Sequence, residues 1–80
     1  MKTAAMTTSL LAITQGNRAR IAEIQGDRQQ LRRMLSLGLR VGSVIDVLSQ
    51  RGRGVVVSNQ GSRVALGSSI ARNLFVEPIE

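Results

Sequence analysis

The chain contains neither cysteine nor histidine, and in only 80 residues that removes the usual ways of stapling a small fold. Disulfides and thiolate or imidazole metal sites are excluded. A domain of this size buries a smaller share of its surface than a large one and commonly leans on such supports. What remains is good packing or self-association. The interior must be aliphatic, because apolar residues make up 42% of the chain while Phe75 is its single aromatic. Length allows one domain. Residues 1–8 lack periodicity and read as a flexible N-terminal tail, leaving a domain over 9–78.

The pattern along the domain is mostly that of short strands. Ser9 caps one helical turn, Leu10 to Ala12, and Gly16-Asn17 breaks the chain. Arg18 to Ile24 alternates, with Ala19, Ile21 and Glu23 facing one way and Arg20, Ala22 and Ile24 the other. Asp27 to Leu37 reads as a helix. Asp27 is its N-cap, and Gln30 sits where a capping box needs it. Leu31, Met34 and Leu35 form an apolar stripe, and Gly38 supplies the left-handed stop. Leu39 then falls where such a stop places its apolar contact, back on Met34. Ser43–Gln50, Val55–Ser58 and Ser62–Leu66 follow as a meander, joined by the glycine-bearing loops Arg51-Gly52-Arg53-Gly54 and Asn59-Gln60-Gly61. Ser68 caps a turn over Ser69–Arg72. Leu74–Pro78 closes the series as an edge strand carrying proline. The expected fold is mainly β: a small barrel of about five strands, with one inserted α-helix and a short helical turn.

Charge and residue inventory narrow the function. The net charge is +6, nearly all of it arginine, which suits an acidic partner surface or a well-solvated basic one. No base stands ready to activate a serine, and the acids are isolated in sequence, so catalysis has no constellation to rest on. No cofactor site is read. Glu23, Asp27, Asp46, Glu77 and Glu80 are too scattered for a transition-metal site and at best hold a hard cation weakly. No apolar stretch approaches the roughly 20 residues that span a bilayer, and Lys2 to Ala12 lacks the unbroken core and cleavage site of a signal peptide.

The candidate contacts are therefore surface ones. Arg28, Arg32 and Arg33 form a basic helix face, with Arg40 just beyond; the guanidinium fork suits paired bonds to carboxylates. Leu39 is either a helix-stop contact or an apolar anchor. Arg51 and Arg53 on a hairpin tip offer phosphate or carboxylate contacts, or simply a solvated loop. Phase puts Val44 and Leu48 on the outside of the sheet, an apolar outer face that points to self-association. A nucleic-acid-binding barrel is the alternative to a protein-docking module. The missing aromatic platforms weigh against it, since Phe75 is alone and expected in the core.

The run Leu31-x-x-Met34-Leu35-x-Leu37-Gly38-Leu39-x-x-Gly42 resembles the FeoA family, small accessory proteins of bacterial ferrous iron transport. Ser9-Leu10-Leu11 with Gly16 is similar to that family's opening segment. Gly61-Ser62-Arg63-Val64-Ala65-Leu66 is similar to its Gly-Ser-Arg-apolar-Ala-Leu strand, and Ala71, Leu74, Val76 and Glu77 to its closing one. Gly67-Ser68-Ser69 departs from a turn that is more acidic in the family. The resemblance implies an SH3-like barrel, also found at the C-terminus of iron-dependent repressors, whose helix-turn-helix domain this chain has no room for. It implies a cytoplasmic regulator, recruited to the inner face of the membrane by the cytosolic G domain or cytoplasmic face of a ferrous iron permease, with no iron carried by the small protein itself.

Overall fold

In the computed structural model, which describes residues 7–79, six strands form one antiparallel sheet. They are β1 (Thr8–Ser9), β2 (Arg18–Ile24), β3 (Val44–Arg51), β4 (Gly54–Asn59), β5 (Ser62–Gly67) and β6 (Leu74–Ile79), in spatial order β1-β6-β2-β3-β4-β5. A 3₁₀ turn (Leu10–Ala12) follows β1, α1 (Arg28–Ser36) joins β2 to β3, and α2 (Ser68–Ala71) joins β5 to β6. The mainly β architecture with one inserted helix is the expected one.

Two features differ from the expected barrel of about five strands. Thr8, assigned to the tail, pairs with Val76, and Ser9 pairs with Phe75, which makes a sixth strand. The remaining tail expectation falls on residues 1–6, outside the described residues, and on the exposed Thr7. The sheet also keeps two edges, because β1 and β5 pair with no common neighbour among the described residues. Packing takes over where the ladder stops: α2 lies against β4, β5 and the 3₁₀ turn.

Side-chain alternation builds the core. Ala19 and Ile21, Ile45 and Val47, Val55 and Val57, Val64 and Leu66, and Leu74 and Val76 all turn inward and are buried, joined by Leu10, Ile13, Met34, Leu39 and Ala71. Two bulges reset the phase. One lies between Ile21 and Glu23. It leaves Glu23 outside and lets Ile24 pack on the core, the reverse of unbroken alternation. The other lies between Val47 and Ser49, so that beyond it Gln50 turns inward, where its amide donates to the Leu11 carbonyl. Val44 and Leu48 stand on the outside as expected, each 39% exposed. Phe75, expected in the core, is only half-buried, because its neighbours Leu74 and Val76 take the inward positions of β6.

Three smaller expectations also change. β6 lies inside the sheet, not at its edge. Pro78 is tolerated there because β1 reaches only Phe75 and Val76, so β6 is locally an edge at the proline. α2 begins at Ser68, with Gly67 as an N-cap that makes no side-chain bond; Ser68 is inside the helix and caps nothing. The β4–β5 turn uses positive φ at Gln60 (54°) and Gly61 (87°), the two-residue hairpin geometry, whereas the β3–β4 loop places no glycine at positive φ.

Candidate docking site

The basic helix is defined by its two ends. At the start, Asp27 Oδ1 accepts from the Gln30 amide at 2.8 Å, satisfying one of the free amides of the first turn. Only this half of the capping box forms; the Gln30 side chain lies against Gly26. At the end, the Leu39 amide donates to Met34 O at 2.9 Å and the Gly38 amide to Leu35 O at 3.0 Å, with Gly38 at φ 83°. That is the double-bonded left-handed stop read from the sequence. It is fastened from outside by Asn59, whose Nδ2 donates to the Gly38 carbonyl at 2.8 Å. Asn59 is the only polar residue among the described residues that is buried.

Between these ends the helix is barely covered. Of the apolar stripe only Met34 is buried; Leu31 and Leu35 are 36% and 59% exposed. At 100° per residue, Arg28 and Arg32 lie beside Leu31 and Leu35, whereas Arg33 points about 100° away from Arg32. The accessible surface is thus a mixed ridge of two leucines and two arginines. Leu37 and Val41 continue it, at 39% and 62% exposed. Arg40 joins it too, lining a groove of about 390 Å³ with Leu35, Leu37, Asn59 and Gln60.

The sequence candidates therefore fall into two groups. Arg28, Arg32 and Arg33 are carried by α1, whose stop is fastened to the Asn59–Gln60 end of the β4–β5 hairpin, and Arg40 lies at that end of the hairpin itself. Arg51 and Arg53 sit at its other end, beside Gly54 and Gly67, about 20 Å away at strand rise. Leu39 belongs to neither group. It is fully buried, so the anchor role is withdrawn and the helix-stop role stands; Leu35 and Leu37 are the apolar side chains this region offers.

The positive charge of this surface is almost wholly unpaired among the described residues. Arg18 Nε donates to Asp46 Oδ1 at 2.9 Å in the one ion pair among the described residues. That hydrogen bond, and then the charge of Asp46, raises the Arg18 pKa above its ordinary value. The candidate arginines are all exposed and free of such pairing among the described residues. No group of three or more acidic, histidine or cysteine side chains converges among them. The guanidinium groups of this surface can bond carboxylates or phosphates. Sequence reasoning missed Asn59, which looks like an ordinary turn residue, and it missed the exposure of Leu35, because a stripe at helical spacing names a face and not its cover.

The FeoA domain matches residues 8–78. A Methanocaldococcus jannaschii protein named for Fe(2+) transport, transport protein A, is 27% identical over 82% of this chain and 80% of its own length. A crystal structure of an iron uptake regulatory protein, FeoA, superposes with a TM-score of 0.86 at 27% identity, covering 92% of this chain and all of that one. A manganese-dependent transcriptional repressor contains a similar unit, with a TM-score of 0.89 at 28% identity over 95% of this chain, which spans 43% of the repressor. With the helix, its Leu-Gly-Leu stop and the six-stranded sheet in place and the match running through nearly the whole domain, the chain belongs to the FeoA family.

Proposed function

We propose that this protein is a cytoplasmic accessory protein of ferrous iron uptake, which docks on the cytosolic part of the membrane iron permease and biases its transport cycle. Its family and the relative named for Fe(2+) transport support the setting. The observation that carries the docking reading is the uncovered ridge of α1, where Leu31 and Leu35 stand in solvent beside Arg28 and Arg32. An isolated domain gains nothing from leaving two leucines of one helix face wet, whereas a partner gains apolar area with arginines at the rim. A regulator of this kind needs only unequal affinity for two states of its target. It neither turns over a substrate nor carries the ion.

The test is calorimetric titration with the permease's purified cytosolic domain. Arg32→Glu with Arg33→Glu, and separately Leu35→Asp, weaken binding about tenfold or more while circular dichroism and Tm stay those of the parent. Undiminished binding by these folded variants removes the helix ridge from the docking surface.

A further inference from the structure

The outer face of β3, β4 and β5 carries a second feature, at the far end of the hairpin from α1. Two neighbouring cross-strand rows run over it, Ser49–Val56–Ala65 and Arg51–Gly54–Gly67. The second row has no side chain beyond its arginine, so half-buried Val56 lies open on that flank. The result is a groove of about 480 Å³, with Arg51 and Arg53 in its lining. Gly54 is bare for a steric reason, since a Cβ there would come within 2.6 Å of the Leu66 carbonyl oxygen. Gly67 has no such reason. Its φ of −65° and ψ of 157° are ordinary extended backbone, and a Cβ would meet nothing within 4 Å. The fold does not require glycine at position 67, but a side chain there would close the groove.

The groove opens onto the long edge of the sheet. The two-residue turn pairs Asn59 with Ser62, which fixes the hydrogen-bond alternation. Ser62, Val64 and Leu66 bond to β4, and the backbone amides of Arg63, Ala65 and Gly67 and the carbonyls of Arg63 and Ala65 point off the edge; the Gly67 carbonyl, at the N-cap of α2, is taken by the helix's first bond. These three residues are exposed, and β5 ends the sheet. An edge strand is ordinarily blunted by proline, a bulge, charge or a covering helix. Although α2 packs against β5, Arg63, Ala65 and Gly67 stay exposed, and the strand has neither proline nor bulge. Its one charge, Arg63, faces outward and adds to Arg51 and Arg53 a third guanidinium without an acidic partner among the described residues. Pairing with a second copy would bring two chains of net charge +6 together.

We infer that the β5 edge accepts an extended acidic segment of a partner protein as an added strand. An apolar side chain of that segment lies over Val56 beside Ala65, and carboxylates two residues to either side meet Arg63 and the Arg51–Arg53 pair. Backbone bonds supply affinity, and the acidic-x-apolar-x-acidic spacing supplies selectivity. The inference rests on the docking reading above and names how this end of the molecule takes part.

The experiment titrates the full-length ¹⁵N-labelled protein with a blocked synthetic peptide, Thr-Glu-Thr-Val-Thr-Glu-Thr, and with its counterpart in which lysine replaces glutamate. At millimolar peptide, the acidic probe shifts the amides of Arg63, Ala65 and Gly67 and the resonances of Val56; the basic probe leaves them unmoved. Arg51→Glu with Arg53→Glu weakens the acidic probe about tenfold. Gly67→Val abolishes its binding while the core resonances hold. Absence of shifts, shifts confined to α1, equal response to the basic probe, or concentration-dependent shifts of the same amides without peptide (a second copy on the edge) overturns the inference. A second titration, with the permease's cytosolic domain, separates the two readings. Binding through α1 with an edge that ignores the peptide ends the inference and leaves docking intact. An edge that takes the peptide, in a protein the domain ignores, ends the docking reading alone.

Discussion

Leu39 and Leu35 stand four residues apart at the end of one helix, and they have opposite fates. Leu39 is fully buried with the sheet's inward side chains, while Leu35 is 59% exposed. The contrast extends to whole elements. The inward positions from β2 to β6 are buried apart from half-buried Ile24 and Gln50 beyond the two bulges, whereas α1 commits one side chain, Met34, to the core. The helix is therefore held by its final turn and by Asn59, not by a packed face. The sheet makes the fold, and the helix is a projection that the fold holds in place.

The largest expected effect comes from exchanging the two leucines for alanine. Leu39→Ala removes a fully buried side chain and costs about 2–5 kcal/mol, which in a domain of this size lowers Tm by roughly 4–8 °C per kcal/mol. Leu35→Ala stays within about 0.5 kcal/mol, the range of surface substitutions. Denaturant unfolding of both variants checks the pair. Equal losses would mean that Leu35 is covered in solution, by the core or by another copy, and the ridge would cease to be a free surface.

A smaller pair of changes addresses the fastening itself. Asn59→Ala leaves the Gly38 carbonyl without its partner and costs about 1–3 kcal/mol. Gly38→Ala forces a β-carbon into left-handed backbone, at about 1–2 kcal/mol, and brings that carbon to 3.2 Å from Asn59 Nδ2. Both changes loosen one stop, so the double variant should lose less than the sum, and a double-mutant cycle reads the difference. Strict additivity would show that the hairpin tip and the helix end are independent.

How much of this was legible beforehand follows the same divide. Alternation names most of the core correctly because a side-chain period of two is a local property of the backbone. It fails at Ile24, since one extra residue at Ala22 changes no composition and flips the face of everything after it. The Leu-Gly-Leu stop is readable because a left-handed glycine and its two bonds are also local. The cover over Leu31 and Leu35 is not, because it depends on where the helix lands. The candidate arginines show this most clearly. Arg40, Arg51 and Arg53 are near neighbours in the chain, yet β3 carries the last two to the far end of the hairpin. The groove beside them was invisible for a related reason: Gly67 and Ala65 look like any small strand residues until the register sets them beside Val56 and Gly54.

The finest distinction concerns the free end of the helix. If α1 is anchored only at its last turn, its first turn depends on Asp27 alone. Asp27→Ala removes the cap of the Gln30 amide, a change worth about 1 kcal/mol where the helix unfolds with the rest of the protein. In a helix that frays from its start without disturbing the sheet, much of that cost is absorbed by local opening, and the global loss falls below it. Amide hydrogen exchange separates these cases. The expected result is faster exchange through the amides of Leu31 and Arg32, with the Leu39 amide, bonded to Met34 O and packed in the core, unchanged. If Leu39 loses protection in step with Leu31, then the helix and the sheet open as one unit, and the projection is as firmly held as the strands beneath it.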